Sequence, residues 1–166
     1  MTRKTLHLLA AAPVLALLLT TSPISAQTEV PENGRAENSR ASVSPIEGSW
    51  IFNIDVLGQG TTFHSLISFS AGGVVITSAS LPGPANTPFY GSWRQTGTNR
   101  FHAVFYAFLP DASGVGVALN KVSLNMQLTS RNALTGTAVG ANCDLQAENC
   151  VQTAEFQNTG KRILPE

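Results

Sequence analysis

The segment Val122–Leu128 has the sequence Val-Ser-Leu-Asn-Met-Gln-Leu, in which apolar and polar side chains alternate strictly. Successive side chains of an extended strand point to opposite faces, so this alternation is typical of a β-strand with one face in a core and the other in water. Elsewhere no segment combines the length and the 3.6-residue apolar spacing of an amphipathic helix. The sequence therefore predicts an all-β fold.

Further strand candidates lie on both sides of this segment, separated by clusters of Gly, Pro, Asn and Asp that are typical of turns. The eight predicted strands are Gly48–Val56, Thr61–Phe69, Val74–Ala79, Phe89–Gln95, Phe101–Leu109, Val115–Leu128, Leu134–Val139 and Val151–Phe156. Short connections favour antiparallel neighbours in up-and-down order, and eight such strands can remove their exposed edges by closing into a barrel. We expect an eight-stranded antiparallel up-and-down barrel, with a two-sheet β-sandwich as the alternative.

The N-terminal residues have the three-part layout of a secretory signal peptide. A cationic start containing Arg3 and Lys4 precedes the apolar run Leu6–Leu19, and a small-residue segment ends at Ala26. The apolar run is shorter than the ~20 residues that a membrane-spanning helix needs. We therefore predict a signal peptide over residues 1–26, a flexible polar leader over 27–45, and one folded domain over 46–166 that is secreted or periplasmic and free of the membrane.

The composition excludes one large class of function. The 166-residue chain contains 10 basic and 10 acidic residues, and removal of Arg3 and Lys4 with the signal peptide leaves a net charge of −2. Proteins that bind nucleic acid or anionic membranes usually carry a basic surface. We expect neither partner for this protein.

Two cysteines, Cys143 and Cys150, are separated by six residues. In an exported protein this spacing favours a disulfide that closes a hairpin loop. A redox pair or half of a metal site is the alternative, but both usually have a Cys-x-x-C spacing.

The candidate catalytic residues are His64, His102, Tyr106 and Asp55, whose side chains can transfer protons. A metal site would need Asp55 or Glu155 beside the two histidines, because the sequence contains no cluster of metal ligands. We expect neither a metal nor another cofactor. The sequence does not decide whether the protein is an enzyme.

The strand Phe101–Phe108 is apolar on both faces, which indicates that a partner or the leader covers its outer face or that it lies in a crowded part of the fold. A homodimer formed through this strand is one hypothesis. His102, Tyr106 and Phe108 share one of its faces, and that face would combine apolar area with two polar groups if it were internal. The predicted ligand-binding residues are Phe63, His102, Tyr106, Phe108, Trp93 and Arg94.

Gly48-Ser49-Trp50 opens the first predicted strand, and Arg162 follows the last one. In these features the sequence resembles the lipocalins and the wider calycin group, and it is also similar to small barrels of the allene oxide cyclase type. The resemblance implies that Trp50 packs at a closed barrel end against Arg162, and that both residues are structural.

We expect an exported barrel that binds a small apolar molecule in its interior without a cofactor. One alternative is a cofactor-free cyclase or isomerase that uses the barrel pocket. Another is a structural or interaction module with a filled barrel. Abundant Ala, Ser and Gly in the strands favours spare internal room, whereas Phe101, Phe105 and Phe108 would fill it.

Overall fold

The computed structural model describes residues 43–80 and 87–166. The predicted signal peptide and most of the predicted leader lie outside these residues. The described residues contain no helix and form eight strands: β1 (Gly48–Val56), β2 (Thr61–Ser70), β3 (Val74–Ala79), β4 (Phe89–Gly97), β5 (Arg100–Pro110), β6 (Gly116–Ser130), β7 (Ala133–Cys143) and β8 (Val151–Arg162).

Each strand pairs antiparallel with the next one along the chain, and β8 returns to pair with β1. The closing pair runs in register from Trp50 opposite Arg162 to Val56 opposite Phe156. The predicted up-and-down barrel is therefore confirmed, and the alternative sandwich is wrong. Closure provides a pairing partner on both sides of every strand, so that the sheet has no free edge.

The last two strands are longer than the sequence predicts. We expected them to end at Val139 and Phe156, but β7 reaches Cys143 and β8 reaches Arg162. The added part of β8 contains Asn158 and Gly160, residue types with low strand propensity. Pairing with β1 on one side and β7 on the other stabilises this segment as a strand despite its composition.

The alternation that predicted the fold separates the interior from the surface as expected. Leu124, Met126 and Leu128 are buried inside the barrel, whereas Asn125 and Gln127 between them are exposed. The same alternation along β1 buries Trp50 and Phe52 completely. Each strand thus contributes one row of side chains to the core.

The two ends of the barrel differ. At the closed end, Trp50, Phe69, Phe101 and Leu134 fill the interior, and Ile46, which precedes β1, is fully buried with them. Among the described connections, those between β1 and β2, between β5 and β6 and between β7 and β8 border the open end. The side chains of the closed end therefore form the floor of the barrel interior.

Cys143 and Cys150 form a disulfide across the β7–β8 connection at the open end, as predicted. Within this loop the Asp144 carboxylate accepts hydrogen bonds from the Asn149 side chain (2.7 Å) and from the backbone N–H groups of Glu148 and Gln146. These donors lower the pKa of Asp144. Disulfides are typical of oxidising compartments.

None of the described residues lies in a helix long and apolar enough to span a membrane.

Candidate ligand-binding cavity

The barrel encloses a cavity of about 270 Å³ between the closed-end core and the open end. It is lined by inward-facing side chains of the strands and by residues near the open end: Phe52, Ile54, Val56, Gln59, Phe63, Ser65, Ile67, Thr77, Ala79, Phe89, Phe105, Ala107, Phe108, Leu109, Asn120, Val122, Leu124, Ala138, Ala154, Phe156 and Asn158. None of these residues carries a charge. The volume is close to the lower limit of small-molecule sites, ~300 Å³.

Small side chains on three of the strands, β5, β7 and β8, leave room in the interior. Ala107, Ala138 and Ala154 line the cavity, where larger residues would fill it. Aromatic rings form other parts of the wall. The ring centres of Phe63 and Phe156 are 6.2 Å apart and those of Phe89 and Phe105 are 5.8 Å apart, and both pairs pack edge to face. Edge-to-face contacts of this kind stabilise neighbouring rings beyond their buried area. The cavity thus combines aromatic wall segments with room for a small apolar molecule.

Two hydroxyl groups in the wall bind each other. The Ser65 hydroxyl donates to the Ser78 carbonyl (2.8 Å) and lies 2.6 Å from the Thr77 hydroxyl. Because Ser65 has only one hydroxyl proton, Thr77 is the donor in the second bond. Both protons are therefore used, and this pair presents only acceptor oxygens to the cavity.

Asn158 is different, since its side-chain amide has an unused donor. Asn158 lies on the inner face of β8, is 2% exposed, and stands opposite Ile54 of β1 and Gly136 of β7. Its Nδ2 atom is buried and has no hydrogen-bond partner among the described residues. Buried donors without a partner are rare in folded proteins because they lose the hydrogen bonds of water.

The closed end has the arrangement that the resemblance implied for Trp50 and Arg162. The Arg162 guanidinium lies 4.3 Å from the centre of the Trp50 ring and donates to the carbonyls of Pro45, Glu47 and Arg131. The Trp50 indole N–H donates to the Ile46 carbonyl at 2.9 Å. Partial burial, and secondarily the positive charge of Arg131, lower the pKa of Arg162. These contacts join β8 to the segment that covers the barrel floor.

The same contacts explain why position 48 is a glycine. Its φ is +119°, a backbone conformation that L side chains rarely adopt. A Cβ atom at this position would lie 2.8 Å from the Arg162 Nη1 atom. The glycine of Gly48-Ser49-Trp50 thus allows the guanidinium to approach the start of β1.

The predicted ligand-binding residues divide into three groups. Phe63 and Phe108 line the cavity. Trp93, Arg94 and His102 border a shallow depression elsewhere on the barrel, where the Trp93 indole N–H donates to the Ser70 carbonyl. Tyr106 belongs to neither site, because in β5 it is Phe105 and Ala107 that face inward.

The strand face shared by His102 and Tyr106 is therefore the outer one. His102 Nδ1 lies 2.9 Å from Asn125 Oδ1 of the neighbouring strand, and the carbonyl oxygen can only accept this bond. The Lys121 ammonium lies 6.0 Å from the centre of the Tyr106 ring. Both polar groups thus interact with side chains of β6.

The other candidate catalytic residues also lie outside the cavity. His64 on β2 and Asp55 on β1 are exposed, on the faces opposite to the inward residues Ser65 and Ile54. The structure therefore does not bring the four candidates together around the interior. In the described part of the chain no group of three or more His, Cys, Asp or Glu side chains is placed to hold a metal ion.

The polar groups of the cavity were missed in the sequence analysis. Ala154, Phe156 and Asn158 alternate along β8 and share its inner face, so parity alone was sufficient to place Asn158 inside. The prediction ended this strand at Phe156, and Asn158 was left in the segment beyond it. Ser65 had the same signal, because it alternates with Phe63, Ile67 and Phe69 on one face of β2. Thr77 did not, because β3 has apolar residues on both faces.

The comparisons with known proteins identify no family. No protein-family model and no curated protein matches this chain.

Proposed function

We propose that this protein is an exported, calycin-like barrel that binds a small, largely apolar molecule in its interior. The cavity carries the proposal: its wall is almost entirely apolar, and it is not filled by the side chains around it. Burial of apolar ligand surface in such a cavity gains about 25 cal/mol per Å² before the costs of association are subtracted.

A filled barrel that serves only as a structural module has less support, because Ala107, Ala138 and Ala154 face the space that larger side chains would occupy. The cyclase or isomerase alternative also has less support. His64, His102, Tyr106 and Asp55 all point away from the cavity and are not placed to move a proton on a bound molecule.

The binding function is tested by titration of the purified protein with 2-isopropenylnaphthalene, followed by calorimetry. We expect one binding site per chain. Ala138→Leu, which extends a buried side chain into the cavity, should weaken binding by about tenfold or more, since the ligand and the new side chain compete for one volume.

Thr137→Leu is the matched control, because Thr137 precedes Ala138 on the same strand and faces outward. It should leave the affinity unchanged. Equal binding by the parent and by Ala138→Leu, or no binding by the parent, would contradict the proposed function.

The export part of the proposal is supported by the disulfide and by the signal-peptide layout of residues 1–26. A chain recovered from the periplasm or the medium of its host should begin at Gln27. An intact N-terminus with Cys143 and Cys150 reduced would contradict export.

A further inference from the structure

We infer that the ligand is a neutral molecule with a carbonyl or similar acceptor oxygen, and that the Asn158 side-chain amide binds this oxygen. The inference rests on the proposed binding function and specifies the chemical class of the ligand.

The Asn158 amide has an unused donor. Asn158 Nδ2 is buried and unpaired among the described residues, although the side chain lines the cavity. An unpaired buried donor costs stability, and a ligand that supplies an acceptor removes this cost on binding. A pure hydrocarbon of the same shape would leave the amide unpaired.

The other polar side chains of the cavity wall differ from Asn158 in their donors. The Ser65–Thr77 pair uses both of its protons internally and offers only oxygen lone pairs. Asn120, nearer to the open end, directs its amide toward Asn142 Oδ1 at 3.4 Å. Gln59, which also lines the cavity, is exposed to water. Among the polar side chains of the wall, Asn158 is therefore the one whose donor is both buried and without a partner in the described part of the chain.

The cavity wall is uncharged. No Lys, Arg or His side chain lines the cavity. A carboxylate bound there would lose its hydration without gaining a positive partner, which is costly in an apolar interior. The cavity thus favours ketones, aldehydes and esters over the anions of fatty acids or aromatic acids.

The test compares three ligands of nearly identical shape: 2-acetylnaphthalene, 2-isopropenylnaphthalene and 2-naphthoate. The first two differ only in whether a carbonyl oxygen or a methylene group is present. We expect the ketone to bind the parent about tenfold more tightly than the alkene, and the naphthoate to bind at least tenfold more weakly than the ketone.

Asn158→Leu replaces the amide by an apolar side chain of similar volume. It should keep the affinity for the alkene and reduce the ratio of ketone to alkene affinity to about one. Asn53→Leu is the matched control, because Asn53 lies on the outer face of the neighbouring strand β1. It should retain the preference of the parent.

The infrared carbonyl stretching frequency of bound 2-acetylnaphthalene distinguishes a direct hydrogen bond from a structural role of Asn158, because only a hydrogen bond to the ligand changes this frequency. Hydrogen bonding to Asn158 should lower the carbonyl stretching frequency in the parent and in Asn53→Leu, but not in Asn158→Leu. If Asn158→Leu does not fold, two measurements on the parent still test whether the ligand oxygen accepts a hydrogen bond. These are the preference for the ketone over the alkene and a carbonyl frequency lower than that of the ketone in an apolar solvent.

The outcomes separate the two proposals. Equal affinities for ketone and alkene in the parent would overturn the inference and leave the binding function intact, and tighter binding of the naphthoate would also overturn it. Failure of all three ligands to bind the parent would overturn both.

Discussion

Single residues determine how closely the strands of this barrel approach one another. Gly91 on the inner face of β4 stands opposite Phe105 of β5. A Cβ atom at Gly91 would overlap the Val104 carbonyl oxygen and would lie 2.5 Å from Phe105 Cα. Both are backbone atoms, which cannot yield as the tip of a flexible side chain can.

Gly91→Ala should therefore destabilise the protein by about 2 kcal/mol or more, because the β4–β5 pair must separate locally. Gly97→Ala is the control on the same strand: its Cβ would meet the nearest side-chain atom at an ordinary 3.6 Å. Chemical denaturation of both variants checks the prediction. A free energy of unfolding equal to that of the parent in Gly91→Ala would contradict it.

Arg162 is the second residue on which the fold depends, because its guanidinium packs on Trp50 and donates to three backbone carbonyls. Arg162→Ala should lower the free energy of unfolding by about 2 to 3 kcal/mol, since those carbonyls lose a charged donor and the indole loses its cation. Thermal unfolding checks this.

The exposed Lys161 on the same strand provides the comparison for Arg162. Lys161→Ala also removes one positive charge, but it leaves the contacts of Arg162 intact, and it should therefore change Tm little. Arg162→Lys should not restore full stability, because an ammonium cannot match the planar guanidinium that stacks on the indole and reaches three carbonyls. Equal Tm values for the two alanine variants would argue against the contacts.

At the scale of the elements, the β5–β6 connection is organised by one carboxylate. Asp111 Oδ1 accepts hydrogen bonds from the Ser113 hydroxyl (2.6 Å) and from the backbone N–H groups of Ser113 (2.8 Å) and Val115 (3.1 Å). These donors, with the Ser113 hydroxyl first, lower the pKa of Asp111 below its ordinary value of 3.8.

A carboxylate whose pKa is lower in the folded state stabilises the protein above pH 3.8, and this contribution is lost as the pH falls through the folded-state pKa. Asp111→Ala should therefore reduce Tm at pH 7, and the deficit should shrink in more acidic solution. Ser113→Ala, which removes one of the three donors, should show a smaller deficit of the same pH dependence. A deficit that does not change with pH would contradict this account.

Strand β5 also shows what sequence alone resolved and what it did not. Its apolar composition correctly placed a strand there, but apolar residues on both faces gave no sign of which face points inward. Burial of Phe101, Ala103, Phe105 and Ala107 decides this, and it follows from closure of the whole sheet. The outward placement of His102 and Tyr106 depends on that long-range event.

Formation of a homodimer through the outer face of β5 stays a prediction. The outer face of β5 contains Phe108, which is 60% exposed, and neighbouring β4 contains Tyr90, also 60% exposed. Light scattering of the purified protein at micromolar concentration checks the oligomeric state. A monomeric mass would exclude a stable dimer through this face.

For the molecule as a whole, the number and order of the strands were predictable because they depend on local patterns, whereas the closed end was expected only from the resemblance to the calycin group. Alternation places residues on one face or the other, turn clusters separate the strands, and Gly48-Ser49-Trp50 indicates where the first strand begins. The cavity was not predictable in detail, because its wall combines residues from all eight strands. Its volume depends on register, which no single segment encodes.

The pairing of β1 with β8 brings the first and last strands of the barrel side by side, with Gly48 and Arg162 at the same end. The β1–β8 interface therefore does not need the two strands to be consecutive in the chain. A circular permutant that joins residue 166 to residue 43 by a short flexible linker and begins at Gln59 would contain the same eight pairings and keep the Pro45 carbonyl that Arg162 binds. Its new termini would lie at the open end, beside the entrance to the cavity, where a tag or a reporter domain could be attached without touching the floor of the barrel.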